Sequence, residues 1–134
     1  MDIRKFAVEP TSRLHLRDAA DNLMYTDDGH EIAVNLYGPG SKQYAKAQSI
    51  QNNKLIDKLK RKGKSEQSEE QKLAESAEFL AACTASFENL DYDGLQGNAL
   101  AIAVYSDISI GFISDQVAKH ISDWANFTKR PVQN

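Results

Sequence analysis

Cysteine is nearly missing from this chain of 134 residues: Cys83 stands alone, so no internal disulfide can form. Its neighbours Ala81, Ala82 and Ala85 mark a small apolar packing position rather than an activated thiolate, and a reducing compartment is the simple expectation. Long apolar runs are missing as well. None approaches the ~18 residues of a membrane span, and the first ten residues carry charges where a signal peptide would carry its apolar core. A cytoplasmic protein is therefore expected. A strong charge of one sign is also lacking: the net charge is -3 and the isoelectric point near 5.6. That leaves no long-range field to gather nucleic acid or an anionic membrane, and it disfavours both as partners. No internal repeat and no low-complexity tract occurs, apart from a charged connector near residues 60–72.

What is present suffices for a fold. An apolar share of 41% and a charged share of 26% are ordinary for globular chains, and the length suits a single domain over 1–134, since division would leave two marginal cores. The class expected is α+β: a small N-terminal antiparallel β-hairpin or sheet in residues 1–40, a mainly helical part of about four helices in 41–128, and a flexible tail over 129–134.

Period two opens the chain. Residues 13–17 alternate polar and apolar, 22–27 contain Leu23 and Tyr25, and 30–37 place Ile32, Val34 and Leu36 on one face. Asp28-Gly29 between the second and third stretches predicts a hairpin near 23–37, with both turn positions at positive φ. Pro39 and Gly40 then stop the strand, and Ser41 can cap a helix that meets no glycine or proline until Lys62-Gly63-Lys64-Ser65. Ser68-Glu69-Glu70-Gln71 is a capping box for a second helix, expected to run to about Asn89. A loop over 89–97 and a shorter helix over 99–105 follow. In the last segment Ile110, Ile113, Val117, Ile121 and Trp124 recur at intervals of 3, 4, 4 and 3, one stripe of a helix that is core or interface.

The two long helices carry opposite charge. Residues 42–64 hold eight bases, Lys42, Lys46, Lys54, Lys58, Lys60, Arg61, Lys62 and Lys64, against Asp57. Residues 66–93 hold eight acids, Glu66, Glu69, Glu70, Glu75, Glu78, Glu88, Asp91 and Asp93, against Lys72. Cations late in the first helix and anions early in the second suit the helix dipoles. Two readings stand: solvated faces with adapted ends, or complementary arms that pair within the chain or between identical subunits.

Candidate chemistry fails at named positions. Gly38-Pro39-Gly40-Ser41-Lys42 lacks the spacing of a phosphate-binding loop and reads as a turn with an N-cap. Asn89-x-Asp91-x-Asp93-Gly94 begins like a calcium loop, but Leu100 stands where the bidentate glutamate belongs, so an Asx-rich turn describes it better. His15, His30 and His120 lack the i, i+4 spacing of a shared metal, and no motif brings Cys83 beside one of them. Asp115 and Asp123 belong to a solvated helix face. Neither an enzyme nor a cofactor is expected. Tyr44, Ile50, Leu55, Phe87, Val117, Ile121, Trp124 and Phe127 are the candidate core or partner-contact positions, with Trp124 and Phe127 first of all core anchors.

Taken in order, these signals resemble those of phage tail assembly chaperones. They are the β opening with its Asp-Gly turn; Gly38-Pro39-Gly40-Ser41-Lys42-Gln43-Tyr44 entering a lysine-rich helix; an acidic helix ending near Phe87-Glu88-Asn89-Leu90; and Asp91-Tyr92-Asp93-Gly94. The stretch from Ala99 to Ser106, Gln116-Val117 and Ser122-Asp123-Trp124-Ala125-Asn126-Phe127 complete a resemblance over about residues 20–128. It implies a non-enzymatic protein of a long-tailed phage or prophage that coats the tape-measure protein, keeps that protein's helical length soluble, helps recruit tail-tube subunits and works as a homo-oligomer. A structural minor tail or connector subunit is the alternative. A small nucleic-acid-binding regulator using the 42–64 helix is a second one.

Overall fold

The computed structural model describes residues 1–62 and 68–128. The turn expected at Lys62-Gly63-Lys64-Ser65 is described only at its first residue, and the tail expected over 129–134 lies outside the described residues.

The fold is α+β: a three-stranded antiparallel sheet and four α-helices. Strand β1 (Thr11–His15) pairs with β2 (Ala33–Tyr37), and β2 pairs with β3 (Thr84–Glu88). Helices α1 (Lys42–Lys62) and α2 (Glu69–Ala82) lie between β2 and β3 in the chain, and α3 (Gly97–Ser106) and α4 (Gly111–Ile121) follow. Short 3-10 turns occur at Ile3–Phe6, Ile108–Ile110 and Trp124–Phe127.

Alternation along β2 gives the sheet its two faces. Val34 and Leu36 are fully buried against the helices, as is Leu16 just beyond β1. On the other face the Arg13 guanidinium lies 2.8 Å from Glu31 and 3.0 Å from Glu88. There Asn35 Nδ2 donates to Ser86 Oγ at 3.0 Å and to Glu88 Oε2 at 2.8 Å. Arg13, and after it Asn35, hold the Glu88 carboxyl below its usual range. The pairs are exposed, so they set register rather than contribute much stability.

The hairpin expected near 23–37 forms in an irregular version. Residues 22–27 make only isolated bridges, Arg17 with Leu23 and Tyr25 with Glu31, instead of a full strand. The amide of Met24 donates to Leu16 and that of Ile32 to Met24, so the arm folds against both strand ends. At its tip Gly29 donates to Thr26 O at 2.9 Å and Thr26 to His30 O at 2.8 Å. Gly29 has φ 89 while Asp28 stays out of the left-handed region, so the turn holds one positive φ rather than two. Gln116 on α4 pins the arm: its Oε1 accepts the Arg17 amide and its Nε2 donates to Arg17 O, both at 2.8 Å.

Two helix ends differ from expectation. The second helix stops at Ala82, not near Asn89, because Thr84 to Glu88 complete the sheet beside β2. Thr84 Oγ1 donates to Leu80 O at 2.8 Å and lies 2.7 Å from Tyr105 Oη, which satisfies the polar groups where helix becomes strand. The terminal stripe also breaks. Ile113, Val117 and Ile121 are buried on α4, but Asp123 caps the following turn by accepting the Ala125 amide at 3.0 Å. Trp124 is thereby left 57% exposed, and Phe127 is buried instead, at 1%, against Gly38 and the His120 ring.

The first two helices start at their serine caps, whereas α3 and α4 start without a side-chain cap. Ser41, itself buried, accepts the Tyr44 amide at 3.1 Å and donates to Gly38 O at 2.7 Å. Ser68 and Gln71 exchange the two bonds of a capping box, at 3.1 and 3.2 Å. Leu80, Leu100, Val104, Tyr105, Ile113, Val117 and Ile121 then close over the sheet as one core.

Candidate functional site

Helix α1 is the anomaly of the molecule. Its start is anchored: Ala47 is buried, and the Tyr44 ring meets Phe79 of α2 edge to face at 5.7 Å. From residue 48 to residue 57, however, every residue is exposed. That stretch includes Ile50, Leu55 and Ile56, at 47%, 55% and 49% exposure. Ten exposed helical residues with three large aliphatic side chains are not a solvated face of ordinary composition.

Between α1 and α2 lies an open cleft of about 210 Å³, with Ala47, Ile50, Phe79 and Ala82 on its walls and Lys54, Glu75 and Glu78 at its rim. The spacing of Ala47, Ile50, Gln51 and Lys54 is i, i+3, i+4, i+7, so one face of α1 supplies its whole wall. Lys54 Nζ and Glu78 Oε1 form an ion pair across it, which raises the Lys54 ammonium above its ordinary value. It is a single pair between the basic and the acidic helix, with both side chains about half exposed. A concave apolar strip with charged edges suits the stripe of an amphipathic helix, read as anchors at i, i+3, i+4 and i+7.

The candidate positions divide three ways. Val117, Ile121 and Phe127 are core, at 0%, 2% and 1% exposure. Tyr44 and Phe87 are half-buried against that core, Tyr44 under Phe79 and Phe87 at 5.9 Å from Tyr105. Ile50, Leu55 and Trp124 are exposed, and only Ile50 lines the cleft. Trp124 sits elsewhere, near Gly40. Sequence reasoning missed Ala47, Ile56, Phe79 and Ala82. The i, i+3 pairs Ala47/Ile50 and Phe79/Ala82 were the available signal, weak because alanine marks a core and a shallow groove equally well.

The remaining polar candidates have structural partners. Asn89 Nδ2 donates to Glu31 O at 2.8 Å and Asp91 Oδ1 accepts the Gly94 amide at 3.1 Å, so the Asx-rich loop is tied to the sheet and to itself. Leu100 is core. His15 Nε2 donates to Met24 O at 2.9 Å, His30 lies 3.2 Å from Asp28, and His120 Nε2 lies 3.0 Å from Ser12 Oγ. Burial lowers His120 below its ordinary value, against a smaller opposing effect of Asp123. Burial pushes the Cys83 thiol up to about 11, which keeps it protonated and a poor nucleophile near neutrality. Among the described residues no three His, Cys, Asp or Glu side chains gather as a metal site, and no single helix is long and apolar enough to cross a membrane.

No family model, no curated protein and no solved structure matches the chain. The fold and cleft define an α+β protein with a splayed helical arm.

Proposed function

We propose that this chain is a tail assembly chaperone of a long-tailed phage or prophage. It binds the tape-measure protein as a client, keeps that protein's apolar helical length soluble and helps recruit tail-tube subunits, without catalysing a reaction. The open α1/α2 cleft with Ile50 on its wall, together with Leu55 and Ile56 exposed elsewhere on the same helix, carries the reading. The ordered motifs from the Asp28-Gly29 turn to Asn126-Phe127 supply the family. A chaperone of a long helix works through many weak repeated contacts, which a shallow cleft on each of several associated subunits provides. Association of identical subunits is part of the proposal.

The test is co-expression with the tape-measure protein encoded in the same tail gene cluster. The wild-type chain is expected to keep that protein in the soluble fraction. Ile50→Asp combined with Leu55→Asp is expected to lose this while the melting temperature stays within about 2 °C, because both positions are exposed. An insoluble tape-measure protein despite wild-type chain would overturn the proposal. Stoichiometric presence of the chain in purified particles would make it a structural tail subunit instead.

A further inference from the structure

A second concave region lies on the far side of the sheet from β1, apart from the α1/α2 cleft. Among the described residues no strand lies beyond β3, so its outer edge is unpaired. Which backbone groups it presents follows from alternation along β2. The Gly38 amide donates to Pro10 O on the β1 side, whereas the neighbouring Tyr37 amide donates to Cys83 O on the β3 side. Successive residues of β2 therefore turn to opposite neighbours. Ala33 and Asn35 face their partners Glu88 and Ser86, and Phe87, opposite Val34, turns its own N–H and C=O to the open side. A register shift between Asn35 and Leu36 ends the regular pairing, so the open stretch is short, about residues 85–88.

Beside this edge runs a cleft of about 470 Å³. Residues 84–87 form one wall, residues 94–98 the other, and Leu100 and Ala101 of α3 lie beneath. The outer wall is held in place: Tyr92 Oη donates to Asp107 Oδ2 at 2.8 Å, and Asn89 is bonded to Glu31 O on β2's side of the sheet. Room for a strand therefore exists without opening the fold, and Leu95 stands 38% exposed at the rim. Charge indicates the occupant. No lysine, arginine or histidine occurs in residues 73–118, and the carboxylates on β3 and the loop that follows it are Glu88, Asp91 and Asp93. Glu88 is engaged by Arg13 and Asn35, but Asp91 lines the cleft and Asp93, two residues on, is exposed.

We infer that the cleft between β3 and the 90–98 loop binds a short extended peptide segment carrying lysine or arginine, by strand addition to the outer edge of β3. Backbone bonds to Phe87 give the segment its direction, the floor at Leu100 and Ala101 takes an apolar side chain, and Asp91 and Asp93 attract the basic ones. Such a segment differs from the amphipathic helix proposed for the α1/α2 cleft, so each site can fail alone.

The probe is a fluorescein-labelled acetyl-(Lys-Val)3 amide, with acetyl-(Glu-Val)3 amide as the opposite charge. Titration at low salt is expected to shift the amide resonances of residues 85–88 and 94–98 and to leave residues 48–57 unmoved. The glutamate peptide is expected to bind at least about ten-fold more weakly, since like charges oppose it. Asp91→Asn with Asp93→Asn keeps the turn, because asparagine accepts the same bond and tolerates the same φ, and is expected to weaken binding about five-fold at low salt. Ala85→Trp, at an exposed position on the cleft wall, is expected to block binding without unfolding the chain. Equal binding of both peptides, shifts confined to the α1/α2 cleft, or full binding by Ala85→Trp would each overturn the inference.

Discussion

Gly38 and Phe127 show how much one contact decides. A Cβ on Gly38 would lie 2.3 Å from the Phe127 ring, inside any real contact. Gly38→Ala is therefore expected to destabilise the chain by about 1 to 3 kcal/mol through overpacking, and Phe127→Ala by about 3 to 5 kcal/mol through the cavity it leaves. Because the alanine methyl fits once the ring is gone, the double variant should cost less than the sum of the two. Urea midpoints for the three variants check this, and strict additivity would argue against a shared contact. His120, whose ring meets Phe127 at 5.5 Å, adds a pH dependence. Burial depresses its pKa below the ordinary 6.5, so the unfolded chain binds the proton more tightly. The stability this contributes is present above about 6.5 and is lost as pH falls from there through the folded value. Between pH 7.5 and 5.5 the wild type should lose melting temperature more steeply than His120→Gln, and equal slopes would show that His120 is not the group responsible. Neither feature could be read from the sequence, where Gly38 served only as a turn residue and His120 only as a histidine without metal-ligand spacing.

Helix beginnings behave differently, because a cap is a local arrangement. Ser41 and Ser68 were identifiable before any packing was known, since a serine oxygen reaches an amide three residues on wherever the chain turns into a helix. Ser41→Ala should cost about 1 to 2 kcal/mol by denaturant titration, at the upper end for a cap because the hydroxyl is buried and also satisfies Gly38 O. A loss below about 0.3 kcal/mol would mean that the cap is replaceable. Helix ends were harder. Residues 84–88 offer only five positions of alternation after a helical run, and what makes them a strand is the edge of β2 waiting at Ala33 and Asn35. The stripe at Ile113, Val117 and Ile121 was sound, but the same period carried one step too far placed Trp124 with it. Asp123 caps a new turn there, and Phe127 takes the buried place.

Taken whole, the molecule separates a closed core from an open arm. One sheet face and α2, α3 and α4 bury the large aliphatic and aromatic side chains, while α1 leans on α2 through Tyr44, Ala47 and Lys54 and leaves its middle to solvent. Raising salt should therefore loosen α1 from α2 before it affects the core, because the Lys54–Glu78 pair is exposed and screened. Hydrogen exchange at about 0.5 M salt should quicken in residues 48–57 while residues 100–105 stay protected. Uniform exchange across both segments would deny the arm its independence. By itself the sequence determined the α+β class, the four helical segments, the two serine caps and the opposed charges of the first two helices. All of these follow from residues near one another in the chain, where period, turn chemistry and dipole act locally. Tertiary structure alone decided that residues 84–88 are a strand, that Phe127 rather than Trp124 closes the core, and that Ile50 borders an open cleft while Val117 does not. Those outcomes depend on which surfaces meet, and an apolar side chain looks the same in sequence whether its neighbour in space is another helix or water.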